Sequence, residues 1–173
     1  AVADRLSRIE RPLARLGPML VAMPFASLFW MAVTPDLTRP DARPHGSAAA
    51  CFSPAGLAGL AQLPPGRVLS SIDAGSYILA RTPHRVLAGA YHRNVAGNRT
   101  ALAAFAAAPG EARDIVARAG VDIVAICPDL VDLSIYAESS PTGLAARLLA
   151  RDIPEWLTPL PANGPLRLYR VRG

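Results

Sequence analysis

The chain has 173 residues, 51% of them hydrophobic and only 18% charged, with a formal net charge of +5 and an isoelectric point near 10.0. That length suffices for one domain with a sizeable core. The basic side is arginine alone, with no lysine, and the arginines are not interleaved with aromatics as in a nucleic-acid module, so no nucleic-acid partner is expected.

In chain order the first feature is basic. Residues 1–33 carry Arg5, Arg8, Arg11 and Arg15 against Asp4 and Glu10, a net of +2. There follows Leu16–Val33, "LGPMLVAMPFASLFWMAV", 18 residues without a charge. At ~1.5 Å per residue a helix of that length spans about 27 Å, close to the roughly 30 Å hydrocarbon core of a bilayer. Arginines before it and Trp30 near its far end fit a cytoplasmic N-terminus and an interfacial aromatic. The reading is a transmembrane helix over 16–33, preceded by a basic cytoplasmic segment over 1–15, with everything after Thr34 in the periplasm. A buried core helix is the alternative. A signal peptide fits less well, because no small-x-small cleavage site follows. The chain begins at Ala1 rather than Met, which reads as a piece of something longer.

Residues 34–50 hold Pro35, Pro40 and Pro44 and no apolar period, and are expected to form a linker. An α/β domain is expected over 51–173. Ser53 and Pro54 read as N-cap and first residue of a helix to Gln62. Arg67–Ile72 reads as a strand, Asp73–Gly75 as a turn, Ser76–Arg81 as a helix stopped before Pro83, and Arg85–Ala90 as a second strand. Helices follow over 98–108 and 109–119, with Gly120 as C-cap. Val121–Cys127, "VDIVAIC", is the clearest strand, β-branched and continuous. A helix over 141–150 capped by Ser140 and a hairpin from "WLTPL" and "LRLYRVR" complete the chain. The fold class is α/β: one transmembrane helix, then a small, mostly parallel α/β sandwich with a terminal β-hairpin.

Cys51 and Cys127 are the two cysteines. In an external domain an even pair reads as a disulfide; two buried free thiols are the alternative. With three histidines at no chelating spacing, no metal site is expected, and no cofactor is called for.

Two stretches carry candidate ligand-binding residues. In "VLSSIDAGSYI", Asp73, Gly75 and Tyr77 follow a strand, where open α/β sheets place ligands; Asp73 as a helix cap and Gly75 as a turn glycine is the structural alternative. No G-x-G-x-x-G or phosphate-loop pattern is present. In "AYHRN", Tyr91, His92, Arg93 and Asn94 would share that carboxyl edge if the strands are parallel, and histidine beside arginine suits an anionic group. The alternative is a polar loop. His84 precedes a strand and falls to the opposite edge. No G-x-S-x-G occurs, so no nucleophilic triad is defended. "NRT" at Asn98 reads as a helix cap rather than a glycosylation site.

The order of a last transmembrane helix, an external domain opening with strand–D-x-G–helix and the strand "VLAGAYHRN" resembles the C-terminal part of bacterial multi-pass GT-C glycosyltransferases. "SSIDAGSYI" is similar in placement to the W-W-D-Y-G signature of oligosaccharyltransferase catalytic subunits, with Asp73 at the acid and Gly75 at the glycine. Ser71 and Ile72 stand in place of the two tryptophans and Ala74 in place of the tyrosine. The stretch "TPHRVLAGAYHRN" also resembles the external domains of a group of membrane proteins.

In such enzymes the catalytic acids lie on loops between earlier transmembrane helices. The resemblance therefore implies an accessory domain, not catalytic alone, that helps bind a polyprenyl-phosphate sugar donor or an acceptor. Its partners would be the bilayer and the remaining transmembrane part of the same protein. The competing readings are a membrane-anchored binding or interaction module without chemistry, and an α/β enzyme in which Leu16–Val33 is core.

Overall fold

A computed structural model describes residues 45–162 and 164–172. The expected transmembrane helix over 16–33, the basic segment before it and most of the expected linker lie outside the described residues. Among those described, no helix is long and apolar enough to cross a membrane. The last part of the expected linker is not extended: α1, His45–Cys51, is helical, in keeping with the alanines that fill it.

Ser53 starts α2, Pro54–Ala61, as its side chain implies. Its hydroxyl accepts the Gly56 N–H at 3.0 Å, and Pro54 occupies the first helical turn, where a missing N–H does no harm. A Cβ on Gly56 would collide with the carbonyl oxygen of Ala50, so a glycine there lets α1 and α2 pack closely. β1 is Arg67–Leu69, shorter than expected. The helix α3 begins at once, Ile72–Arg81 with Ser71 as N-cap, so Asp73, Ala74 and Gly75 are first-turn helical residues and not a separate turn.

The second strand is also cut short. β2 is only Arg85–Val86, although "VLAGA" has strand composition. Beyond it, side-chain amides replace the ladder. Asn94 donates through Nδ2 to Leu87 O at 3.0 Å, and Asn98 Oδ1 accepts the Gly89 N–H at 3.0 Å. The Leu87 N–H still donates to Val68 O at 2.9 Å, and past that bond the side chains satisfy the groups a ladder would use. Helix α4, Val95–Ala106, and α5, Pro109–Arg118, follow, and Gly120 closes α5 in the left-handed region at φ +61°. Asn98 therefore lies inside α4, not at its start.

β3, Ile123–Ile126, is buried along its whole length, as a central β-branched strand should be. Two helices then follow where one was expected: α6, Val131–Ser139, and α7, Leu144–Leu149. Ser140 does not cap the second. It ends α6, and its hydroxyl donates to Ala106 O at 2.6 Å. The hairpin forms as expected, β4 Leu157–Leu160 against β5 Arg167–Val171.

The five strands make one mixed sheet in the order β2-β1-β3-β5-β4. β1 runs parallel to both β2 and β3, and β5 runs antiparallel to β3 and β4. Helices cover both faces. Val68, Ile123, Ala125 and Leu168 pack with residues of α1, α2 and α3, while Leu69, Val124, Ile126 and Tyr169 pack with residues of α4 to α7. Alternate strand residues thus feed opposite cores. The Cys51–Cys127 disulfide is formed, both cysteines are buried, and it ties the end of α1 to the end of β3 with 6.0 Å between the Cα atoms.

Candidate functional site

The connections out of β1 and β3 lead to opposite ends of the sheet, β1 to β2 through α3 and β3 to β4 through α6 and α7. The crevice beyond the carboxyl ends of β1 and β3 is therefore the topological switch point, where open α/β sheets bind ligands. Three relationships gather there. The disulfide closes one side. The backbone N–H of Asp73 donates to Asp132 Oδ2 at 3.3 Å. Ser70 and Ser71 are buried beneath the start of α3.

Asp132 sits on the first turn of α6 and caps α3 from outside. Burial, with Asp73's charge adding to it, pushes its carboxyl above the usual range, against the lowering effect of the Asp73 N–H. Its second oxygen, Oδ1, is buried without a hydrogen-bond partner among the described residues. Tyr136, one turn further along α6, is pushed up to about 12 by burial first and by the Asp132 charge second. Sequence reasoning misses both residues. Their spacing, four apart on one helical face, is the available signal, and it is hidden unless α6 itself is expected.

Two adjoining clefts flank α3 and share Ser76. The first, of about 450 Å³, lies between α3 and the segment after β2, with Gly75, Leu79, Arg85, Tyr91, Arg93 and Asn94 on its walls. The second, of about 670 Å³, lies between α3 and α1, with Phe52, Asp73, Tyr77, Arg81, Ala90 and Leu130 on its walls. Because β1 and β2 are parallel, the segments following them reach one edge, and the first cleft joins Gly75 to Arg93.

The residues expected from the sequence divide between these clefts. Asp73 and Tyr77 belong to the second, where Tyr77 stacks on Phe52 with ring centroids 4.8 Å apart and planes at 12°. Tyr91 and Arg93 belong to the first, and Tyr91 is 56% exposed. Gly75 lines it too, but its main task is packing. A Cβ there would fall on the carbonyl oxygen of Ala88, so α3 lies directly on that backbone. Asn94 is committed to Leu87 O and Asn98. His92 lines neither cleft. It is exposed, against the Tyr91 ring at 5.0 Å.

Leu79, Arg81 and Arg85 enter the clefts although no motif marks them. Arg81 is held by its Nη1 donating to Phe52 O at 2.6 Å. His84, at the amino end of β2, is 3% exposed. Its Nδ1 accepts the Gly66 N–H at 3.1 Å, so the ring proton is on Nε2, which donates to Leu60 O at 2.8 Å. It braces the end of α2 against the loop before β1 and lines neither cleft.

Among the described residues, no cluster of three or more metal-ligating side chains is present. The clefts offer aromatic faces, apolar walls and guanidinium groups, a set suited to holding an anionic, partly apolar molecule.

No protein family matches the chain, and no curated protein matches it. Among solved structures, it is similar to the C-terminal globular domain of an oligosaccharyltransferase from Archaeoglobus fulgidus, with 18% sequence identity, a TM-score of 0.49, and coverage of 62% of this chain and 86% of that one.

Proposed function

We propose that this chain is the periplasmic domain of a bacterial inner-membrane, multi-pass GT-C-type protein, accessory to the binding of a lipid-phosphate sugar donor or its acceptor and not catalytic alone. The observation that carries the reading is the pair of adjoining clefts along the exposed side of α3, with Arg85 and Arg93 beside the exposed ring of Tyr91. A phosphate would pair with the guanidinium groups, and a sugar face would lie on the tyrosine, an amphipathic ring able to pack and hydrogen-bond at once. The D-x-G placement of Asp73 and Gly75 and the apolar segment Leu16–Val33 support the membrane context.

The test is titration of a water-soluble, short-chain prenyl-phosphate hexose into the full chain in detergent. Saturable binding, weakened about tenfold or more by Y91A combined with R93Q, is the expected result. Equal binding by that double variant removes the reading and leaves an interaction module without this ligand. The position of His92, outside both clefts, favours that second reading to the extent that it leaves the clefts without a proton-transfer group from "AYHRN".

A further inference from the structure

On the opposite face of the sheet from the α3 clefts, a third opening of about 560 Å³ lies between α4 and α5 at the amino end of β1. Three arginines line it, each from a different element: Arg67 from β1, Arg99 from α4 and Arg118 from α5. Among the described residues, no acidic side chain is in that lining. Like charges brought together by a fold repel unless something neutralises them. The ion pair formed among the described residues, Arg147 with Asp152, is elsewhere.

The acids nearest in sequence do not fill the gap. Asp122 accepts the backbone N–H of Arg67 at 2.7 Å, and Asp114 stands one turn before Arg118 on α5 without lining the opening. Arg67 is held in place because one guanidinium nitrogen, Nη1, donates to Ala119 O at the end of α5. A guanidinium has five N–H donors, so most of its capacity remains. Leu87, Ala103 and Ile115 are the apolar part of the lining. All three arginines are exposed, so their guanidinium groups are accessible to a ligand arriving from solvent, and their attraction for it is screened by salt.

We propose that this opening binds a diphosphate-bearing anion, held by Arg67, Arg99 and Arg118. One orthophosphate would leave most of the volume empty and is matched by fewer than three guanidinium groups. A diphosphate carries charge enough for all three, and the remaining space admits the group attached to it. The α3 clefts involve none of these three arginines, so the two sites stand or fall separately.

Inorganic diphosphate titrated into the full chain in detergent, at low salt, tests it by calorimetry. The expected result is saturable binding that weakens about 30-fold or more in R99Q/R118Q and weakens as salt is raised. R113Q removes the same charge from α5 without touching the opening and should change affinity less than about threefold. A matched titration with water-soluble dihexanoyl phosphatidate distinguishes the source. Diphosphate binding tighter than phosphatidate supports a soluble or diphosphate-linked ligand, and the reverse order overturns the diphosphate assignment in favour of a phospholipid headgroup. Absence of saturable binding, equal loss in R113Q, or loss in R85Q/R93Q with R99Q/R118Q unaffected would each overturn the proposal. The last result would move the anion to the α3 clefts. R99K/R118K, which keeps the charges, guards against misfolding: folded by circular dichroism, it should bind diphosphate more tightly than R99Q/R118Q, and a folded variant that binds no better than R99Q/R118Q would overturn the proposal that the positive charge at these positions holds the anion.

Discussion

Asp132 Oδ2 accepts the backbone N–H of Asp73 at 3.3 Å, so a carboxylate on α6 caps α3 at the very residue that carries a second carboxylate. The arrangement satisfies an orphan donor at the start of α3, but it holds two like charges together in a partly buried crevice.

The carboxyl of Asp132 is raised first by burial and then by Asp73. A raised carboxyl favours protonation in the folded state, so its ionisation opposes folding. That penalty is complete above the folded pKa and fades as pH falls through it towards the ordinary carboxylate value. D132N should therefore raise the melting temperature at pH 7 by roughly 1–3 °C, the size expected for under ~1 kcal/mol in a solvent-accessible crevice. The difference should shrink as pH is lowered towards 4. A variant less stable at pH 7 than the parent would show that the carboxylate cap outweighs the repulsion. The same substitution should bring the Tyr136 phenol down from about 12, because one of the two charges raising it is gone.

Gly75→Ala places a methyl group on the Ala88 carbonyl oxygen. Alanine's better helix propensity, ~1 kcal/mol, cannot offset a clash with backbone on a packed helix. The expected net loss is about 2 kcal/mol or more by urea unfolding. An unchanged midpoint would mean α3 is free to move off the sheet, and the shape of both flanking clefts would then not be fixed.

Cys51 and Cys127 are 76 residues apart in sequence. In the chain-entropy picture, closing such a loop stabilises by about 4–5 kcal/mol. C51S/C127S should lose stability on that scale in guanidinium unfolding, and non-reducing peptide mapping should show one linked pair. Two free thiols in protein isolated without reductant would contradict both the bridge and the external location proposed for it.

His84→Ala leaves the Gly66 N–H without its partner inside the protein, leaves the Leu60 carbonyl with the Leu63 N–H alone, and opens a cavity. The loss should be about 2–4 kcal/mol, with prenyl-phosphate sugar affinity unchanged in whatever fraction remains folded. His92→Ala should do neither: it lines no cleft at α3 and is exposed. A substantial affinity loss in H92A, measured in the same titration, would place its ring on the ligand after all.

Much of the fold is legible in the amino-acid order, for reasons local to the chain. Ser53-Pro54 announces a helix, Gly120 a helix end, and the β-branched run around Ile123–Ile126 a buried strand, because each rests on the conformational preference of the residues themselves. The pairing of Cys51 with Cys127 is expected from an even count together with an expected external location, and the bridge is formed. Lengths and roles set by neighbours are not legible in the same way. "VLAGA" has the composition of a strand, yet it leaves the sheet after Val86 because Asn94 and Asn98 take its backbone groups and α3 needs the space beside Gly75. Helix α6 escapes the sequence pattern because its apolar residues are spread around it rather than along a stripe, and Asp132 and Tyr136 escape with it. Single residues and their near neighbours determine where elements begin, end and turn. Only the folded chain decides which charges share one opening, as Arg67, Arg99 and Arg118 do from three separate elements, because proximity across 51 residues of sequence is a property of packing and leaves no periodic trace.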